Sequence, residues 1–155
     1  MRPRLGMLLF LTLLVSVGVH AQNDPLIGTW KVNVTKSKYS PGPPPKSGTT
    51  KYEVAGQGID VTTEGVDAQG VRTATHYTAN WDGKDYPITG SQDYDMVSMK
   101  RIDRNTTEVM RKKAGKVGTT IRRVVSQDGK TLTMTTKGTD AQGRAVNNVA
   151  VYEKQ

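Results

Sequence analysis

The chain has 155 residues, with 22 Lys and Arg against 14 Asp and Glu, no cysteine, and a mean hydropathy of −0.54. The absence of thiols excludes disulfide staples, thiolate metal sites and a cysteine-borne lipid anchor. A formal charge of +8 turns attention to acidic ligands or surfaces.

Residues 1–21 have the anatomy of a secretory leader. Arg2 and Arg4 supply a basic start, Leu5 to Val19 is an apolar run, and Val19-His20-Ala21 offers compact residues at a cleavage site. The run is shorter than the roughly 20 residues a membrane span needs, and no later stretch approaches it. The expectation is an exported protein, periplasmic or secreted, with one domain at 22–155. Without Arg2 and Arg4 that domain keeps 20 basic and 14 acidic residues, a net +6. Only 41 of its 134 residues are apolar and 19 are threonine. So lean a composition predicts a thin core and favours strands.

The first segment to break a strand pattern is "SKYSPGPPPKSG", 37–48, with four prolines at positions 41–45. It reads as a stiff surface connector in preference to a docking arm. From there alternation with period two dominates: Tyr52/Val54, Ile59/Val61, Val71/Tyr77, Val109, Ile121/Val125 and Leu132/Met134. Turn signals fall at Gly56-Gln57-Gly58, Asp82-Gly83, Asp103-Arg104-Asn105, Ala114-Gly115-Lys116 and Asp128-Gly129. One phrase occurs twice, "TTEGVDAQG" at 62–70 and "TTKGTDAQG" at 135–143. Asp suits the first position of a type I turn and Gly its end, so the repeat predicts two hairpins of one design. One carboxylate per phrase is far short of the six to eight oxygens calcium takes. The whole predicts an all-β fold, a single antiparallel up-and-down barrel of about eight to ten strands.

Catalytic chemistry is sparse. Outside the leader the sole histidine is His76, whose phase with Arg72, Ala74 and Thr78 puts it outside the barrel. A two- or three-histidine zinc site is impossible, and a His-dependent triad rests on that one residue. Asp93/Asp95 and Asp82/Asp85 read as solvated loop acids, and no Gly-rich phosphate loop is present. The expectation is a non-enzyme with no metal and no cofactor. Arg111, Lys112, Lys113, Lys116, Arg122 and Arg123 cluster around Ala114-Gly115. A solvated hairpin tip is favoured there over peripheral contact with an anionic lipid surface. Nucleic acid is not expected, for want of aromatic platforms beside the charge.

The stretch "DPLIGTWKVN", with Gly28-Thr29-Trp30 as a G-x-W signature, resembles the first strand of the calycin superfamily, the lipocalins and fatty-acid-binding proteins. The ending "NNVAVYEKQ" is similar to the last strand of the fatty-acid-binding branch, and "GTTIRRVVSQDGKTLTMTTKGT" to the strands before it. The resemblance implies a calycin-like barrel with Gly28 and Trp30 at its floor and a monomer that binds a small hydrophobic or amphipathic ligand. It implies a lidless variant, read as bacterial, because the Pro-rich segment stands where the family has a helix-turn-helix lid. Ala150 stands where that branch has an inward arginine. The other inward arginine aligns with Arg123, and Tyr152 lies beside it.

Alternation independently puts Thr119, Ile121, Arg123 and Val125 on one face, and Thr107, Val109 and Arg111 on another. A slip of one residue would turn Arg122 inward instead. The expected ligand contacts are Arg123, Tyr152, Arg111, Val109, Ile121 and Met134. With one arginine in place of two, fatty acids should bind at least tenfold more weakly than to a full clamp. The competing reading is a filled barrel of the same shape that acts through its surface, as an inhibitor or interaction module.

Overall fold

The computed structural model describes residues 24–155; the leader expected at 1–21 lies outside them. Ten strands follow one another: β1 (Gly28–Lys38), β2 (Ser47–Ala55), β3 (Gly58–Val66), β4 (Arg72–Asn80), β5 (Asp82–Pro87), β6 (Met96–Arg101), β7 (Thr106–Lys113), β8 (Lys116–Val125), β9 (Thr131–Thr139) and β10 (Ala145–Lys154). Among the described residues there is no helix. The strands form one antiparallel sheet in the order β4-β3-β2-β1-β10-β9-β8-β7-β6-β5. The two ends of that order, β4 and β5, share no ladder. A single bridge spans the seam beside them, where the His76 and Thr89 backbones exchange hydrogen bonds of 3.1 and 2.9 Å. The result is the nearly closed up-and-down barrel that the alternation predicts.

Side-chain parity builds the interior. Tyr52, Ile59, Val61, Tyr77, Ala79, Val97, Met99, Val109, Ile121, Val125 and Leu132 are buried and pack with Leu26, Trp30 and Ile88. The core sits toward the end of the barrel where the chain enters at Leu26. Trp30 is wholly buried, its indole N–H donates to the Leu26 carbonyl at 2.8 Å, and the Lys154 ammonium lies 5.0 Å from its ring centre. Gly28 opens β1 opposite Tyr52. This is the floor.

Three local expectations need correction. Val71 precedes β4 and is 59% exposed, because its amide is held in the preceding turn by the Asp67 carboxylate at 2.8 Å. Asp82-Gly83 does not make a hairpin tip: Trp81 alone joins β4 to β5, and Asp82 and Gly83 form a bulged start to β5. The connector is shorter than 37–48, since residues 37–38 end β1 and 47–48 begin β2. Its residues 39–46 are also tied down. The Ser40 amide donates to Asn148 Oδ1 at 2.8 Å, the Ser40 carbonyl accepts from the Asn147 amide at 2.7 Å, and the Lys46 amide donates to the Val66 carbonyl at 2.9 Å.

The repeated phrase is one turn made twice. Asp67 Oδ1 accepts from the Gln69 and Val71 amides at 2.9 and 2.8 Å, and Asp140 Oδ1 from the Gln142 and Arg144 amides at 3.0 and 2.8 Å. Gly70 and Gly143 close these turns with φ of +93° and +78°, where a side chain would be strained. Because the aspartate replaces missing backbone partners much as a helix cap does, Asp67→Ala should cost about 1 kcal/mol. Urea unfolding would read this as a lower midpoint with an unchanged slope.

Candidate ligand cavity

The sheet register stacks the interior of β7 to β10 in rows. Thr107, Arg123, Met134 and Ala150 lie side by side in one row, with Val109, Ile121, Thr136 and Asn148 in the next toward the mouth. Arg111, Thr119, Gly138 and Val146 follow, with a register shift beyond Arg111. A cavity of about 320 Å³ opens over these rows at the end opposite Trp30. Its wall mixes Ile121, Met134, Val146 and Ala150 with Arg111, Thr119, Thr136 and Asn148. Tyr39 and Pro45 from the connector cover one side, Asp93 and Tyr94 from the segment after β5 cover the other, and Tyr152 completes the lining. Tyr94 is well seated: its ring lies under the Arg111 guanidinium at 5.6 Å, and a Cβ on Gly118 would come within 2.9 Å of its Cε1.

Arg123 is the unusual residue. It is 3% exposed, on the inner face, whereas Arg122 is exposed on the outer one. Its Nη2 donates to the Tyr77 hydroxyl at 2.7 Å and its Cζ stands 5.1 Å from the Tyr52 ring centre. Nε and Nη1 are buried without a partner, as are the hydroxyls of Thr107 and Thr119. Among the described residues no carboxylate forms an ion pair with Arg123. A buried charge so placed costs several kcal/mol that aromatic faces and one phenol offset only in part.

Burial opposes the charge most strongly, and the Coulombic attraction to Tyr52 and Tyr77 that raises the guanidinium pKa in spite of it is one that a neutral phenol does not supply. Burial pushes the Tyr52 phenol up to about 12 against the pull of Arg123. Burial, with Tyr52 nearby, raises Tyr152 as well. At neutral pH the interior therefore combines a cation with neutral hydroxyl donors. Arg111 and Arg123 draw anions toward this lining, and Asp93, the carboxylate in it, is exposed.

The structure brings four of the six expected contacts to the cavity: Arg111, Ile121, Met134 and Tyr152. Val109 is wholly buried in the packed core, and Arg123 stops one layer behind the wall, beside Met134. Met134 in turn accepts the Tyr52 hydroxyl on its sulfur at 3.7 Å. Sequence reasoning missed Tyr39, Tyr52, Tyr77 and Tyr94. The inward phase of Tyr52 and Tyr77 was the available signal, a hydroxyl on an otherwise apolar face.

The basic cluster does not form one patch. Arg111 and Arg123 face inward and Arg122 outward, Lys112 pairs with Asp85 at 2.6 Å, and Lys113 donates to the Gln92 carbonyl at 3.1 Å. Asp95 is not a solvated acid either: one oxygen accepts from the Ala114 amide at 3.0 Å and the other is buried without a partner. His76 is exposed, 2.7 Å from Asp60. Two other concavities, of about 450 and 460 Å³, flank the β4 edge, but their charged side chains, Glu64 and Arg72 in one and Asp67, Arg72 and Asp93 in the other, are not buried. The mouth cavity is the candidate site.

No protein-family model matches the chain, and no curated protein matches it. Among solved structures the chain is similar to the zebrafish ileal bile acid-binding protein, in a complex with cholic acid. The TM-score is 0.51 with 15% sequence identity, over 84% of this chain and 99% of that one. At that identity the likeness defines the class of fold, a calycin-like barrel.

Proposed function

We propose that this protein is an exported carrier that holds one small amphipathic anion in the mouth of its barrel. The apolar part of the ligand rests on Ile121 and Met134, and its head group is drawn to Arg111 and Arg123. The observation that carries this reading is the buried Arg123 guanidinium, with two unpartnered nitrogens and no carboxylate, directly behind a cavity wall. An anion would supply the missing compensation, and the flexible Met134 side chain is the one that must move to admit it. The zebrafish neighbour, which holds cholic acid in a barrel of this class, supports the same reading. The connector in place of a helical lid fits a lidless variant. The sequence of 1–21 argues for export.

The surface-module reading is favoured by one observation, the packing of the lower barrel around Trp30, Leu132 and Val125. A single titration separates the two. A fluorescent fatty-acid probe is added to the parent, Arg123→Leu and Arg122→Leu. Saturable binding in the parent and in Arg122→Leu, with at least a tenfold loss in Arg123→Leu, is the expected result. No saturable binding in the parent, or equal binding in all three, overturns the carrier in favour of the surface module.

A further inference from the structure

The cavity also sets a size limit, an inference that rests on the carrier reading. We propose that the ligand is a compact amphipathic anion of about ten non-hydrogen atoms, on the scale of a medium-chain carboxylate. A long-chain fatty acid, or a molecule the size of cholic acid, is too large to be enclosed. Water occupies about 30 Å³ in the liquid, and a methylene is close to that size. A space of about 320 Å³ therefore takes on the order of ten such groups.

The space does not continue downward. Val109, at 0% exposure, fills the space beside Ile121, and behind Ile121 and Met134 lie Arg123 at 3%, then Leu132 and Trp30 at 0% and Val125 at 3%. Such interiors are close-packed and hold few voids larger than a water molecule. An alkyl chain that passes the mouth meets this plug and has no tunnel to follow.

The cover is equally fixed. On one side the connector is hydrogen-bonded through Ser40 to Asn147 and Asn148. On the other, Tyr94 packs against Gly118 and under Arg111. The Tyr94 amide is itself held by Ser91 Oγ at 3.1 Å, and the Asp95 amide by the Lys112 carbonyl at 2.9 Å. Methylenes beyond the limit must stand in water, where they add no affinity.

The test is a titration of the whole protein with straight-chain carboxylates from six to sixteen carbons, below their micellar concentrations, read by displacement of the fluorescent probe. The dissociation constant is expected to fall about fourfold per methylene while methylenes are being buried, and to level off near ten carbons. Alkylammonium ions of the same lengths should bind at least tenfold more weakly. Met134→Ala shortens the wall in front of Arg123 and should move the break two or three carbons longer, which a surface site would not do. A steady gain through sixteen carbons overturns the size limit and leaves the carrier standing. No saturable binding at any length overturns the carrier, and this inference with it.

Discussion

Trp30→Ala is expected to destabilise the protein by about 3–5 kcal/mol, about a fifth or more of the roughly 5–15 kcal/mol that holds a typical domain together. Part of the cost is the cavity left by a wholly buried indole. The rest follows from what the indole joins. Its N–H holds the Leu26 carbonyl and so fixes the chain entering the barrel. Lys154 covers its ring, and the Gln155 amide donates to Thr29 at 2.9 Å, so the chain leaving the barrel is fastened to the same place. Loss of Trp30 loosens the chain at its entry to the barrel and at its exit at once. Guanidinium unfolding followed by circular dichroism reads the effect, and an unchanged midpoint would mean that Trp30 does not close the floor. Trp81 is a useful contrast, since it lies part-buried beneath Arg101 at 4.3 Å.

Arg123→Leu should move stability and binding in opposite directions. Without ligand, the parent carries a buried guanidinium that lacks an anion. Leucine removes that charge but leaves the Tyr77 hydroxyl without its hydrogen bond. The desolvation cost of a charge exceeds that of one phenol, so the variant should gain about 1–2 kcal/mol. With ligand the order reverses. A saturating anion stabilises the parent by mass action, about 2.7 kcal/mol at a hundred times the dissociation constant, and does little for the variant. Midpoints with and without octanoate, for both proteins, contain the whole result. A variant less stable than the parent in ligand-free buffer would make Arg123 a packing residue and remove the reason for an anion.

What the sequence disclosed follows from how local each feature is. The Asp-Ala-Gln-Gly turns were legible because one carboxylate and one glycine, within four residues, determine the geometry. The faces of β7 and β8 were legible in part, because Val109 and Ile121 each sit at the centre of a period-two set, Thr107/Val109/Arg111 and Thr119/Ile121/Arg123/Val125. Alternation could not say whether Arg122 or Arg123 is inside, and pairing with β7 and β9 does. Residues 81–95 hid a strand, because β5 has six residues, three charges, a bulge and a proline in place of alternating apolar positions. The site itself was the least legible. Its tyrosines come from the connector, β2, β4, the segment after β5 and β10, and nothing local links them. Only the closure of the sheet sets Tyr52 and Tyr77 around a guanidinium on β8.

The seam between β4 and β5 leaves this sheet two free edges, joined nearby by one backbone bridge. Unpaired edges invite growth by strand addition from another copy. Both edges here are blunted: β5 is short, carries Asp82, Lys84 and Asp85, is bulged and ends at Pro87, while β4 presents Arg72 and His76 outward. The charge on these strands therefore bears on colloidal behaviour and not on the ligand. A version with β5 rewritten as a longer, neutral, alternating strand would make a better sheet and a stickier protein.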